Sequence, residues 1–198
     1  MTGEPSRTSV RGQRADACRN HERIIRAAGV LLAEHPGATM EELTAATGLG
    51  RTTVYRHFHT REQLVGEVYQ DAFTGARQVF VAAQLTECPL GELVERAVTA
   101  TMEAVQAYPV LVNGPGLDVA VGGGLPHDYA DCLEPLRLAL ARGQAAGILN
   151  PALPSRWLAG TLLDDCSGAA RFSTELREAG QDPRRLVGEA FVRAWSAR

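Results

Sequence analysis

Residues 39–64 read TMEELTAATGLGRTTVYRHFHTREQL, and the fold turns on that stretch. Thr39 and Glu42 form a T-x-x-E capping box, in which the hydroxyl and the carboxylate each satisfy a free backbone N–H at a helix start. A helix therefore begins at Thr39 and ends near Gly48. Only Gly48 to Gly50 separates it from a second short helix, Arg51 to about Phe58, whose apolar Val54 and Phe58 lie one turn apart. Two short helices across a tight glycine-containing turn predict a helix-turn-helix, and such a unit points to duplex DNA as a partner.

A recognition helix keeps one side buried and offers donors from the other side and from its N-terminus. At about 100° per residue, Val54 and Phe58 share the inward side, Thr52, Thr53 and Arg56 centre on the opposite one, and Arg51 and Tyr55 lie on the flank. Arginine can grip guanine O6 and N7, and threonine offers a hydroxyl and a methyl, so Arg51 and Thr52 are the expected base readers. Tyr55 and His57 have polar tips suited to phosphate oxygens. Thr39 and Arg61 stand at first turns of helices, where backbone N–H groups favour an anion. Each also admits a plainer role: Tyr55 as half-buried packing, Thr39 as a cap alone, His57 as a solvated surface residue.

Outward from this segment, Ile24, Ala27, Ala28, Leu31 and Leu32 recur at helical spacing from about Asn20 until His35, Pro36 and Gly37 stop the pattern, giving a first helix. Residues 1–17 carry Arg7, Arg11 and Arg14 but almost no apolar side chain, so composition predicts a disordered N-terminal arm. Thr60 and Gln63 repeat the capping box and open a long fourth helix through Leu64, Val68 and Phe73 to about Ala83. Further helices are expected at 90–107, 110–121, 127–146, 155–179 and 184–196, with stops at Pro109, Gly122 to Gly124, Gly147 with Pro151 and Pro154, and Gly180. No strand alternation appears. The predicted fold is all-α: an arm at 1–17, a three-helix helix-turn-helix domain at 18–65 and a larger helical domain at 66–198.

Charge supports that division. Residues 1–65 carry nine arginines against seven acidic residues, a balance of +2, whereas 66–198 carry eleven against sixteen, a balance of −5. Phosphate neutralisation supplies most non-specific affinity for DNA, so the basic end is where a duplex would be met. All twenty basic side chains are arginine. The four cysteines stand singly with no Cys/His spacing for zinc and no disulfide framework, so no metal or other cofactor is expected. No apolar run approaches the roughly 20 residues of a membrane span and no signal-peptide pattern opens the chain, so a cytoplasmic protein is expected.

With Tyr55 to Phe58 reading Y-x-H-F, a basic residue before Glu62, Leu64, and the helix-one pattern from Ile24 to Gly37, the first third of the chain resembles the tetracycline-repressor (TetR) family. The resemblance implies a three-helix DNA-binding domain, a helical domain that binds a small molecule, and a homodimer whose last two helices form a four-helix bundle. It would set Thr39, Gly50, Arg51, Thr52, Thr53, Tyr55, His57 and Arg61 against a near-palindromic duplex. Four features depart from the family pattern. Gly50 replaces a common capping serine, Thr52 a common glycine, Thr44 and Thr47 common alanines, and Arg61 the usual lysine. The resemblance also implies a repressor that leaves its operator on binding an effector.

Candidate effector residues are Phe73, Phe80, Met102, Tyr108, Tyr129 and Trp157, each equally readable as core, and Asp165, which with Asp164 and Cys166 interrupts an apolar stretch. That carboxylate faces a pocket, a subunit contact or solvent. His127 near Asp128 and Asp131 lacks the further ligands of a metal site. The apolar load of 155–179 and 184–196 favours dimerisation there. Two other functions compete: an enzyme, against which no triad, metal spacing or phosphate loop appears, and a binding module of the same fold without DNA recognition, against which Arg51, Tyr55 and Arg61 are intact.

Overall fold

The computed structural model describes the backbone of residues 7–113 and 127–197 and the side chains of 16–112 and 130–197. The described residues form ten α-helices and one short 3₁₀ turn: α1 Arg7–Glu34, α2 Met40–Thr47, α3 Arg51–His57, α4 Arg61–Ala82, the turn Leu90–Glu92, α5 Leu93–Ala107, α6 Val110–Asn113, α7 His127–Ala145, α8 Ser155–Arg171, α9 Ser173–Glu178 and α10 Pro183–Trp195. No strand occurs among them, only an isolated bridge between Leu149 and Ser196. The all-α expectation holds. The chain divides into two compact units, Met1–Asp71 and Ala72–Arg198, the division falling inside α4 and not at residue 65.

In the first unit, α1 packs on α2 and α2 on α3. Ile24, Ala28, Leu43, Val54, Phe58 and Leu64 are fully buried, one or two from each helix with Phe58 as the cap of α3, so the apolar spacing of the sequence becomes one small core. Thr39 caps α2 with the full capping box, and Gly48 ends it at φ 62°, a left-handed conformation that a Cβ would strain. Thr44 and Thr47, where alanines are common, are buried without penalty. Thr44 Oγ1 donates to Met40 O at 2.7 Å, and Thr47 Oγ1 donates to Thr44 O at 2.8 Å while accepting from Leu49 N at 3.0 Å. Thr60 accepts from Gln63 N at 3.2 Å, but the Gln63 side chain accepts from His59 N at 3.1 Å, one residue earlier than a regular capping box places it.

Helix α1 departs from expectation at its start. Composition predicts an arm over 1–17, yet the helix begins at Arg7. Backbone i to i+4 hydrogen bonds need no apolar partner, and Arg, Gln and Ala are good helix formers with no proline to stop them.

In the second unit, α5 is the central helix, packed by α7, α8 and α10, and α8 packs on both α7 and α10. Leu93, Ala97, Leu136, Leu140, Leu158, Leu162 and Phe191 are fully buried. Cys166 Sγ lies 3.9 Å from Val98 O on α5, and burial pushes its thiol up to about 12, so it is inert at neutral pH. The chain end is tied back to the α7–α8 connection: Asn150 N donates to Trp195 O at 2.8 Å and Ala197 N to Ile148 O at 3.2 Å. The helix expected over 155–179 is bent at Phe172 (φ −102°, ψ 22°) into α8 and α9. Phe172 N donates to Gly168 O at 3.1 Å and Leu176 N to Phe172 O at 3.0 Å, so the two helices meet at this residue. Beyond Asn113, the rest of the helix expected at 110–121 lies outside the described residues, as does the Gly122 to Gly124 connector.

Candidate nucleic-acid interface

Buried Val54 and the Phe58 cap fix the orientation of α3, and the remaining positions follow from the helical period. Arg51, Thr52 and Arg56 are exposed, while Thr53, Tyr55 and His57 are half-buried. The expected base readers therefore share one open face. Arg51 is held loosely there, with Nη2 3.6 Å from Glu41 Oε1 and its guanidinium carbon 5.0 Å from the Tyr55 ring centre. An exposed ion pair of this kind is worth about 0–1 kcal/mol, so guanine can displace it at little cost while the ring keeps the side chain ordered. Glu41 carries no motif signal; its role shows only once α2 and α3 are packed.

Gly50 is the N-cap of α3 at φ −63° and ψ 142° with no side-chain cap bond, and a Cβ built on it meets nothing within 4 Å. Glycine is therefore not required there by the backbone or by space.

Two of the expected phosphate contacts, Thr39 and Arg61, are otherwise engaged, and a third, His57, has a ring nitrogen withdrawn from solvent. Thr39 Oγ1 accepts from Glu42 N at 3.3 Å and donates its proton to Glu42 Oε2 at 2.9 Å, with Thr39 N donating to the same oxygen at 2.7 Å. These bonds, the backbone one first, hold the Glu42 carboxyl below its ordinary range, so a carboxylate stands beside the hydroxyl. Arg61 Nε donates to Ala38 O at 2.6 Å and Nη2 to Pro36 O at 2.8 Å. The side chain expected at a phosphate instead clamps the α1–α2 loop, with three of its five N–H donors left over. His57 Nε2 is buried without a hydrogen-bond partner among the described residues. Burial first, then His21 and Arg56, pull its pKa below the ordinary histidine value, so it is neutral at pH 7 and not a cationic phosphate ligand.

His21, which spacing did not single out, belongs to the same cluster. Its ring stacks on Phe58 at 5.1 Å and lies 6.0 Å from His57, and its Nε2 is 3.3 Å from Glu67 Oε2. Partners 36 and 46 residues away in sequence leave no local signal for it.

Phe73, Phe80 and Met102 are buried. Tyr108 lies against Gly75, where an added Cβ would overlap its hydroxyl and ring. The side chain of Tyr129 is outside the described residues, as are those of His127 and Asp128. Asp165, its pKa raised by burial and then by Asp164, borders a 390 Å³ hollow with Phe172, Leu176 and Leu186. Trp157 is half-exposed and meets Trp195 edge-on at 4.7 Å. It borders a 510 Å³ cavity between α7 and α8 with Asp131, Glu134, Arg137, Pro154 and Arg156. Among the described residues no group of three His, Cys, Asp or Glu side chains can hold a metal.

Residues 24–68 match the family model for bacterial regulatory proteins of the tetR family. The HTH-type transcriptional regulator NfxB of Pseudomonas aeruginosa is 28% identical over 129 residues, 65% of this chain and 69% of that protein. The HTH-type transcriptional repressor LfrR of Mycolicibacterium smegmatis is 28% identical over 85 residues, 43% of this chain and 45% of that protein. In structure, LfrR in complex with proflavine superposes with a TM-score of 0.64 at 19% identity, covering 88% of this chain and 92% of LfrR. A TetR-family regulator from Marinobacter aquaeolei gives 0.69 at 16% identity, covering 94% and 99%. The matched segment holds the buried Val54 and Phe58 that orient α3, and the likeness in fold runs on through the helices that follow it. Over residues 24–68 the chain is thus similar to the tetR family of bacterial regulatory proteins, and its fold is that of the superposed regulators.

Proposed function

We propose that this protein is a ligand-responsive repressor that acts as a homodimer on a near-palindromic operator and leaves it on binding a small molecule. The observation that carries the DNA reading is the open face of α3, where Arg51, Thr52 and Arg56 stand outward on a helix locked by Val54 and Phe58. Arg51 and Thr52 read bases, and Thr53, Tyr55 and the Gly50 N–H set the register on the backbone. Arg61 serves first as a loop clamp and only with its remaining donors at a phosphate. LfrR, named a repressor, supports the sign of the regulation.

A second copy fits the α8–α10 surface, where Phe172 and Leu186 are exposed at 54% and 38% around the Asp165 hollow. Isologous pairing would cover these side chains, and a dimeric reader of this kind recognises half-sites about 34 Å apart. For the effector, the α7–α8 cavity bordered by the candidate Trp157 is the favoured site, while Phe73, Phe80 and Met102 are buried. Trp157 and Pro154 offer apolar walls, and the Glu134–Arg137 pair, with Nε to Oε2 at 2.7 Å, offers polar anchors at the rim. A planar aromatic molecule with one polar edge suits it, and proflavine, bound by LfrR, is the first probe. Helix α4 belongs to both compact units and is the element through which a ligand that prefers one half-site spacing shifts the equilibrium.

The test is a footprint on DNA flanking the protein's own gene, with and without ligand. Two protected half-sites one helical turn apart are expected, lost on adding an effector, with Arg51→Ala relaxing sequence preference. Both tryptophans lie in the second unit, so their fluorescence reports ligand entry at Trp157. A folded dimer that protects no duplex would overturn the repressor reading in favour of a partner-binding module.

A further inference from the structure

Helix α1 is the most basic element of an acidic chain. Residues 7–26 hold six arginines against Asp16 and Glu22, a balance of +4 in a protein of net charge −3. Three of these arginines, Arg19, Arg23 and Arg26, line a 770 Å³ groove between α1 and the C-terminal end of α2, together with Glu22. Arg19 is paired with Asp16. Arg23 and Arg26 are exposed, and among the described residues neither meets a carboxylate.

The position of Arg23 gives the groove its meaning. Its Nη2 lies 3.0 Å from where a side chain on Gly48 would begin, so its charge sits over the turn that leads into the recognition helix. The three-residue step from Gly48 to Arg51 spans at most about 11 Å. The major groove that would receive Arg51 is about 12 Å wide, so the phosphates of its wall fall within reach of a guanidinium at that turn. Arg26 follows three residues later, about 4.5 Å along the helix axis and on the same side of the helix, so the two long side chains can reach one strand of the backbone together.

We propose that α1 adds a sequence-independent contact to the operator, with Arg23 and Arg26 neutralising neighbouring backbone phosphates beside the helix-turn-helix. This rests on the DNA-binding reading above and extends it to a helix outside the reading face. Glu22 bounds the contact on one side. The contact adds to what Thr39 and Arg61, already engaged within the domain, can supply, and it gives a net acidic protein a basic edge where the duplex lies. An acidic protein segment is the competing occupant of the groove. The duplex is favoured because the charged end of the groove adjoins the turn before Arg51.

The experiment compares the full-length parent with Arg23→Gln/Arg26→Gln on its footprinted duplex and on a scrambled duplex, titrating affinity by fluorescence anisotropy over a salt series. Each lost phosphate contact flattens the slope of log K against log[salt] by about 0.9. The double variant should therefore flatten by about 1.8, so that between 50 and 200 mM salt the parent loses about twelvefold more affinity than the variant. The change should appear equally on both duplexes, leaving the specificity ratio unaltered. Because Arg23 touches the end of α2, Arg26→Gln alone serves as the second variant, with an expected flattening of about 0.9. A parental slope in both folded variants, or weaker binding with no change of slope, overturns the α1 contact while the footprint leaves the DNA reading standing. A parent that protects no duplex overturns both.

Discussion

Replacing Arg61 separates a structural role from a DNA role at one side chain. In the parent, its guanidinium donates to Ala38 O at 2.6 Å and Pro36 O at 2.8 Å, across more than twenty residues of sequence. Hydrogen bonds to a charged group contribute about 1.5–3 kcal/mol each, and at a half-buried site the lower figure applies. Arg61→Ala should thus cost the first unit about 3 kcal/mol, a large fraction of the 5–15 kcal/mol that holds a typical domain. Arg61→Lys, with one ammonium able to reach one carbonyl, should lose about half of that. The assay is urea unfolding followed by far-UV circular dichroism, which sees both units, beside tryptophan fluorescence, which sees only the second. The difference between the two curves isolates the unit that holds Arg61. For DNA, Ala should flatten the salt slope by about 0.9 at most, and Lys should restore the slope without restoring stability. If Arg61→Ala unfolds with the parent's midpoint in the dichroism trace, the clamp on the α1–α2 loop is refuted and Arg61 is a phosphate ligand alone.

Gly50→Ser should stabilise the first unit by up to about 1 kcal/mol, from a new cap on α3 and a less flexible unfolded chain, because φ and space already suit a side chain; it should also tighten DNA binding in anisotropy titrations, and weaker binding would count against the docking face. The lowered pKa of His57 means that the unfolded chain takes up a proton first, so stability is full above the ordinary value of 6.5 and falls as pH drops below it; His57→Phe should remove that acid sensitivity in thermal melts between pH 7.5 and 5.5. Glu42 acts lower on the scale, its stabilising ionisation present above the ordinary 4.5 and lost as pH falls through its depressed value, so Glu42→Gln should flatten the melting profile below pH 4.5. Gly75→Ala should destabilise the second unit by about 1–3 kcal/mol through overlap with Tyr108, and Tyr108→Ala in the same chain should recover most of it in a double-mutant cycle.

Local chemistry made much of this protein legible. The capping box at Thr39 and Glu42, the left-handed Gly48, and the one-turn spacing of Val54 and Phe58 each act within five residues, and a single sequence displays such signals in full. The outward face of α3 followed from the same period. The start of α1 at Arg7 was not legible, since the absence of an apolar stripe reads as disorder while the backbone ladder needs none. The break at Phe172 was missed for a related reason: neither the residue itself nor its immediate neighbours is a glycine or proline.

By itself, then, the sequence determined an all-α chain with a helix-turn-helix at Thr39 to Leu64 and a family resemblance carried by Tyr55 to Phe58. Only the tertiary structure decided what several of those side chains do. Arg61 is a clamp because the loop at Pro36 to Ala38 folds back onto the start of α4. His57 is a half-buried ring with a lowered pKa because α1 brings His21 against it. Arg23 stands over the α2–α3 turn because α1 packs along α2. Charge and hydrogen-bonding capacity are written in the residue, but which partner uses them depends on segments far apart in sequence meeting in one core, and the helical period carries no information about that.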